Sequence, residues 1–199
     1  MAYITLSLMQ QPIWTGIGLG LSGAFAGVAK LPGNAAGVLS GPAGGKIAQY
    51  RGGRAAGICG ALILTVSWAT LYVFNGSLVS VIGCLVGSSI GATIMFVATP
   101  AVIMETVPAN ETGQATGFAY LVRALGLGVG TQLVALLLGS SLVVAPSGGS
   151  VFPSPGAFKL AIGFVAITSL LALLFAIAVP RADGTTEDDI VSTGATGLS

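Results

Sequence analysis

Residues 55–104 read AAGICGALILTVSWATLYVFNGSLVSVIGCLVGSSIGATIMFVATPAVIM and contain no charged side chain. A helix crosses the roughly 30 Å hydrocarbon core of a bilayer with about 20 apolar residues. The stretch is too long for one crossing and suits two, and Asn75-Gly76-Ser77 near its middle is typical of a turn. It therefore predicts two antiparallel membrane helices, spans 55–75 and 78–104.

Outward from this stretch, the rare charged residues mark the ends of further apolar segments. Only 7% of the 199 residues are charged and 54% are hydrophobic, whereas soluble domains carry about 25% charged residues. We expect an all-α integral membrane protein, a polytopic helical bundle over residues 1–181 with five full spans plus the end of a sixth. The remaining full spans are 24–48, 113–145 and 160–179, and the partial one, 1–10, means that the chain begins inside an element.

The polar segments predict which ends of the helices face the cytoplasm. Lys46, Arg51 and Arg54 lie in one short loop without a nearby acid, and cytoplasmic loops are enriched in basic residues. The Pro-, Ser- and Gly-rich segment 146–156 is expected as a loop on the opposite side. Residues 182–199 are polar and are expected as a disordered cytoplasmic tail of a multi-pass protein of the cell membrane.

Composition also excludes several classes of function. The chain has no histidine, 7 basic and 6 acidic residues and a net charge of +1. Without histidine it cannot build a Ser-His-Asp triad or a histidine zinc site, and without a basic surface it is not expected to bind nucleic acid. We therefore expect no catalytic residue, no metal site and no cofactor, and membrane lipid as the first partner.

Glycine recurs at four-residue spacing in two of the predicted spans. Because four residues advance about 400° around a helix, each set forms a slowly drifting stripe on one face. Such a stripe lets a neighbouring helix approach closely or lines a narrow passage, and close packing is the reading we prefer. The two sets are Gly33, Gly37, Gly41, Gly45 and Gly83, Gly87, Gly91.

The loop between the second and third predicted spans carries a recognisable pattern. Its sequence, GKIAQYRGGR over residues 45–54, resembles the signature Gly-x-Leu-Ala-Asp-Arg-x-Gly-Arg-Arg of the major facilitator superfamily of transporters. Ile47 substitutes for the family's Leu, and Gln49 and Tyr50 replace its Asp and first Arg. The loop residues of interest are Gly45, Lys46, Gln49, Arg51, Gly52 and Arg54.

Further matches extend the resemblance over residues 1–181. Glu105-Thr106-Val107-Pro108, followed by Arg123-Ala124-Leu125-Gly126, is similar to the turn between the tenth and eleventh helices of the family's twelve-helix core. The chain is most similar to the C-terminal half of the fourteen-helix drug:proton antiporters. The resemblance implies alternating-access transport of a small molecule, namely proton-coupled efflux of amphipathic or cationic drugs, with the N-terminal half or a second copy as partner.

Five polar or charged residues are candidates for the site. Lys30, inside a span, either snorkels its ammonium group to the boundary or faces a cavity, and Asn34 and Gln132 either line that cavity or bond neighbouring helices. Glu105 and Arg123 are both expected near the inner boundary. There they form a gating ion pair, or Glu105 pairs with a loop arginine, or both are simple anchors.

Other functions remain open at this stage. A non-transporting membrane scaffold or regulatory fragment derived from a transporter would have the same spans. A homodimer of this half could also rebuild a pore. Six to eight further spans encoded just upstream would favour the transporter.

Overall fold

A computed structural model describes residues 2–15, 18–74, 77–108, 110–144, 149 and 151–178. The described chain is almost entirely helical, with one short antiparallel strand pair. Its elements are α1 (Ala2–Gln10), a 3-10 turn (Ile13–Thr15), α2 (Gly23–Arg51), α3 (Gly53–Val73), α4 (Leu78–Thr106), α5 (Thr112–Gly139), β1 (Leu142–Val144), β2 (Val151–Pro153) and α6 (Pro155–Ala178).

Four of these helices, α3 to α6, are long and apolar enough to cross a membrane by length and composition. The all-α fold and the membrane-protein class follow from them. Helix α2 has 29 residues but is not one of the four, and it contains Lys30, Lys46 and Arg51. The count of five full spans therefore stays a prediction.

Helices α2 and α3 are joined by one residue, Gly52. Its φ of +85° is in the left-handed region that favours glycine. The next residue, Gly53, is buried where α3 meets the end of α4, and a Cβ there would lie 2.6 Å from the Val102 nitrogen. This end of the bundle, with the Gly52 turn and the α4–α5 turn, is called the Gly52 end below.

The glycine contacts correct the two predicted stripes. Helix α2 meets α4 through Gly33, Gly37 and Gly44, whereas a Cβ on Gly45 would touch nothing within 4 Å. A four-residue repeat drifts by about 40° per step, while the seven residues from Gly37 to Gly44 return within about 20° of the same face. A Cβ on Gly41 would still lie 3.9 Å from Thr93 Cγ2 of α4, so the contact leaves the four-residue stripe after Gly41.

The opposite end of the bundle, the hairpin end, differs from the prediction. The span predicted over 113–145 ends at Gly139, and Val143 and Val144 are in β1, paired with β2. β-Branched residues next to a polar Ser-Ser pair favour this extended pairing. Gln11 also donates its side-chain amide to the Pro153 carbonyl, 3.2 Å away, and so joins the end of α1 to β2.

The main core lies in the half of the bundle towards the hairpin end. Trp68 and Leu71 of α3 and Phe158 of α6 are fully buried there. Helix α5 is the least packed long helix, because only Val134 and Leu138 of its residues are buried. The predicted turn at residues 75–76, part of the predicted loop 146–156 and the predicted tail 182–199 lie outside the described residues.

Candidate functional site

The Gly52 turn is held by a carboxylate from another helix. Glu105, near the end of α4, accepts a hydrogen bond of 2.7 Å from the backbone N–H of Gly53. An anion at the N-terminus of α3 is favourable, because the first N–H groups of a helix have no partner within the helix. The carboxylate that stabilises this loop therefore comes from Glu105 of α4, since residues 45–54 contain no acidic side chain.

The predicted gating pair is not formed in the described chain. Glu105 is bound to Gly53, and no ion pair within 4 Å joins it to Arg123, Arg51 or Arg54 among the described residues. Arg54 instead donates from its Nη2 to the Ile177 carbonyl at the end of α6, 2.6 Å away. Both hydrogen bonds stabilise helix ends, so Glu105 and Arg54 have a structural role in this bundle.

The other loop residues face outward or make little contact. Gly45 is half-buried with open space around it, and Lys46, Gln49 and Arg51 are exposed. Nothing in their geometry forms a binding site in this chain. The loop therefore acts on the fold through Gly52, Gly53 and Arg54.

Arg123 lies well inside a helix that is long and apolar enough to cross a membrane. Helix α5 begins at Thr112, so Arg123 is in its fourth turn, about 16 Å along the helix axis. The expectation that Arg123 lies near the inner membrane boundary stays a prediction. An arginine at this depth of a membrane helix is a functional candidate by default.

Arg123 packs on an aromatic ring. Its guanidinium carbon lies 4.1 Å from the centroid of the Phe96 ring of α4, and Phe96 in turn packs against Tyr120, with 6.0 Å between ring centroids. A guanidinium over an aromatic face is attracted by the ring's quadrupole. Two aromatic residues and one cation thus form one wall between α4 and α5.

This wall borders the α4–α5 cleft, a cavity of about 460 Å³. Small-molecule sites typically occupy about 300–1,000 Å³ and combine an apolar lining with a few polar groups. The cleft fits this description, because Arg123 is the single charged residue among the described residues that line it. Its apolar lining includes Leu64, Met95, Phe96, Ile103 and Leu127.

Lys30 and Asn34 line a second cavity. This Lys30 cavity, of about 230 Å³, lies among α1, α2, α3 and α4, and Ser88, Ser89 and Trp68 also line it. The structure thus gives the cavity-facing placement for both predicted residues. Gln132, the third predicted lining residue, is exposed on α5 and borders neither this cavity nor the cleft.

Three aromatic residues of the site were not predicted. Phe96, Tyr120 and Trp68 look like ordinary apolar residues in a membrane span, and only the packing of the helices shows which of them meet a cation or a cavity. A signal exists for Trp68 alone, because an indole N–H inside a membrane helix needs a partner.

Comparison with models of protein families, with curated proteins and with solved structures finds no match for this chain.

Proposed function

We propose that this chain forms one helical bundle of a small-molecule transporter of the major facilitator type, which works by alternating access against a second bundle. The observation that carries the proposal is the α4–α5 cleft. It combines the volume of a small-molecule site with an arginine about 16 Å along a membrane-length helix. All its walls come from α3, α4 and α5.

The proposed second bundle covers α5. Of the 28 residues in this helix only Val134 and Leu138 are buried, while large apolar side chains such as Leu136 are 71% exposed. In transporters of this kind the substrate path lies between two bundles near the bilayer midplane. The N-terminal half of the transporter or a second copy of this chain would supply the facing wall.

Finer parts of the proposal rest on the sequence. Proton-coupled export comes from the resemblance alone, while five full spans in the cell membrane and a cytoplasmic C-terminal tail come from apolar length and the position of the basic loop. The two acidic residues in the described chain, Glu105 and Glu111, lie at the Gly52 end. A carboxylate that couples transport to protons would therefore come from the second bundle.

Transport is tested in proteoliposomes with two permanently charged probes, phenylbutane sulfonate and phenylbutyl trimethylammonium. One set contains the chain alone, and another contains it together with any membrane spans that are encoded upstream. We expect probe uptake above that of protein-free liposomes in at least one set. Ala119→Trp fills the cleft and should abolish uptake. The control, Leu136→Trp, adds the same side chain on the exposed face of α5. In the chain alone this control should fold normally.

The result decides between transporter and scaffold. If neither probe moves in either set, the transport proposal fails and the non-transporting scaffold or regulatory fragment replaces it. If uptake occurs but Ala119→Trp leaves it unchanged, the cleft is not on the substrate path. A correctly folded Ala119→Trp protein, eluting as the unmodified chain does on size exclusion, makes a loss of uptake interpretable.

A further inference from the structure

Basic residues line the cavities, whereas the two acidic residues of the described chain lie at helix ends. Arg123 lines the α4–α5 cleft and Lys30 lines the Lys30 cavity, while no acidic residue of the described chain lines either. A third, wider cavity at the hairpin end repeats the pattern with Lys159. Each of these cavities therefore presents one positive charge without a protein counter-ion.

Arg123 has unused hydrogen-bonding capacity. Its guanidinium carries five N–H donors, and no hydrogen bond or ion pair from this side chain is made to the described residues. The Phe96 ring attracts the cation but offers no oxygen acceptor. A planar anion can bind such a fork of donors through two parallel hydrogen bonds.

Trp68 adds a second donor without a partner. The residue is fully buried, and its indole Nε1 has no hydrogen-bond partner among the described residues although the side chain forms part of the Lys30 cavity. The indole N–H can only donate, and leaving it unsatisfied in the interior is unfavourable. An anionic acceptor in this cavity would neutralise Lys30, whereas the Trp68 Nε1 is itself enclosed by protein.

We propose that the ligand of this bundle is an amphipathic anion, an aromatic or alkyl body that carries a carboxylate, sulfonate or phosphate group. Its apolar body occupies the α4–α5 cleft and its anionic group binds Arg123, and the Lys30 cavity is a second station for the same anionic group. The inference rests on the proposed function and gives the substrate the opposite charge to a cationic drug. A free organic acid and an anionic lipid share this chemistry.

Binding is measured for the full chain in phosphatidylcholine nanodiscs with three probes of similar apolar body. These are phenylbutane sulfonate, phenylbutanol and phenylbutyl trimethylammonium. Because a hydrogen bond to a charged group contributes about 1.5–3 kcal/mol, we expect the sulfonate to bind about 10- to 100-fold more tightly than the alcohol. The ammonium probe should bind most weakly.

Two variants and a matched control locate the effect. Arg123→Gln should remove most of the preference for the sulfonate and leave the part contributed by Lys30, and Arg123→Lys should restore part of the loss. Lys46→Gln makes the same change of charge on α2, where Lys46 is exposed and outside the cavities described above, and should change nothing. Nanodiscs containing phosphatidylglycerol identify the source, because competition with the sulfonate would show that an anionic lipid is also a ligand.

Several results would overturn the inference. They are equal or tighter binding of the ammonium probe, no binding of the sulfonate, or an equal loss of preference in Arg123→Gln and Lys46→Gln. Anion-selective binding without uptake in proteoliposomes would leave the inference standing and remove the proposed function. Faster uptake of the ammonium probe than of the sulfonate would leave the proposed function standing and overturn the inference.

Discussion

Helices α4 and α5 are both long, apolar and rich in glycine, yet two of the three glycines of α4, Gly87 and Gly91, are packed against α3, whereas those of α5 are open. A Cβ on Gly91 of α4 would lie 2.7 Å from the Gly60 carbonyl oxygen of α3, and one on Gly60 would lie 2.8 Å from the Gly91 carbonyl oxygen. A Cβ on any glycine of α5 would touch nothing within 4 Å; these are Gly113, Gly117, Gly126, Gly128, Gly130 and Gly139.

The contrast shows that a glycine face can be present without being used within the chain. In membranes, helices associate largely through close van der Waals packing and hydrogen bonds, and glycine allows the backbones to approach. Helices α3 and α4 achieve this packing at Gly60 and Gly91. The small-residue face of α5 is free for a surface outside the described chain, which is the place that the proposed second bundle would take.

The largest expected effect is at the α3–α4 crossing. Gly91→Ala places a methyl group against the Gly60 carbonyl oxygen, and overpacking of this kind costs about 1–3 kcal/mol. We therefore expect the free energy of unfolding, measured by denaturant titration in detergent micelles, to fall by about that amount. Gly83→Ala is the control, because its Cβ has open space on the same helix.

Gly83→Ala should not lower the stability, since alanine is the better helix former. If both variants lose the same stability, the loss comes from the backbone of α4 and not from the crossing. If neither does, the crossing is looser than described, and the contrast between α4 and α5 disappears.

A smaller effect is expected at the Gly52 end. Glu105→Ala leaves the Gly53 N–H without its acceptor, and loss of a helix cap costs about 1 kcal/mol. Glu105→Gln keeps an amide oxygen in place and should cost less. Both are measured by the same unfolding titration.

Glu111→Ala is the matched control. Glu111 is also exposed near the Gly52 end, but its side chain makes no cap to the helix that it precedes. An equal loss in Glu105→Ala and Glu111→Ala would mean that Glu105 acts through general charge and not through Gly53.

The sequence predicts the helices well because charge and apolar length act locally. The ends of α3 and α4 lie within two residues of the predicted 55–75 and 78–104. The prediction is wrong at residues 140–144, because hydropathy does not distinguish a helix from a strand in the run Leu142–Val144. Whether α2 spans the membrane is likewise not decided by its length.

The candidate site was predictable only where a residue is unusual for a membrane span. Lys30 and Asn34 are polar residues in an apolar segment, and both line a cavity. Phe96 and Tyr120 carry no such signal, because their roles depend on which helix faces them. Spacing along the chain similarly suggested Glu105 and Arg123 as partners, whereas the depth of Arg123 on α5 separates them.

The smallest expected effect tests the unused face of α5. Gly128→Ala adds a methyl group where nothing lies within 4 Å, so the described chain should lose no stability and gain up to about 1 kcal/mol from helix propensity. A measurable loss of stability would show that Gly128 is packed against another surface. If that loss also grows with protein concentration in the micelle, the surface belongs to a second copy of the chain, because only an intermolecular contact depends on concentration.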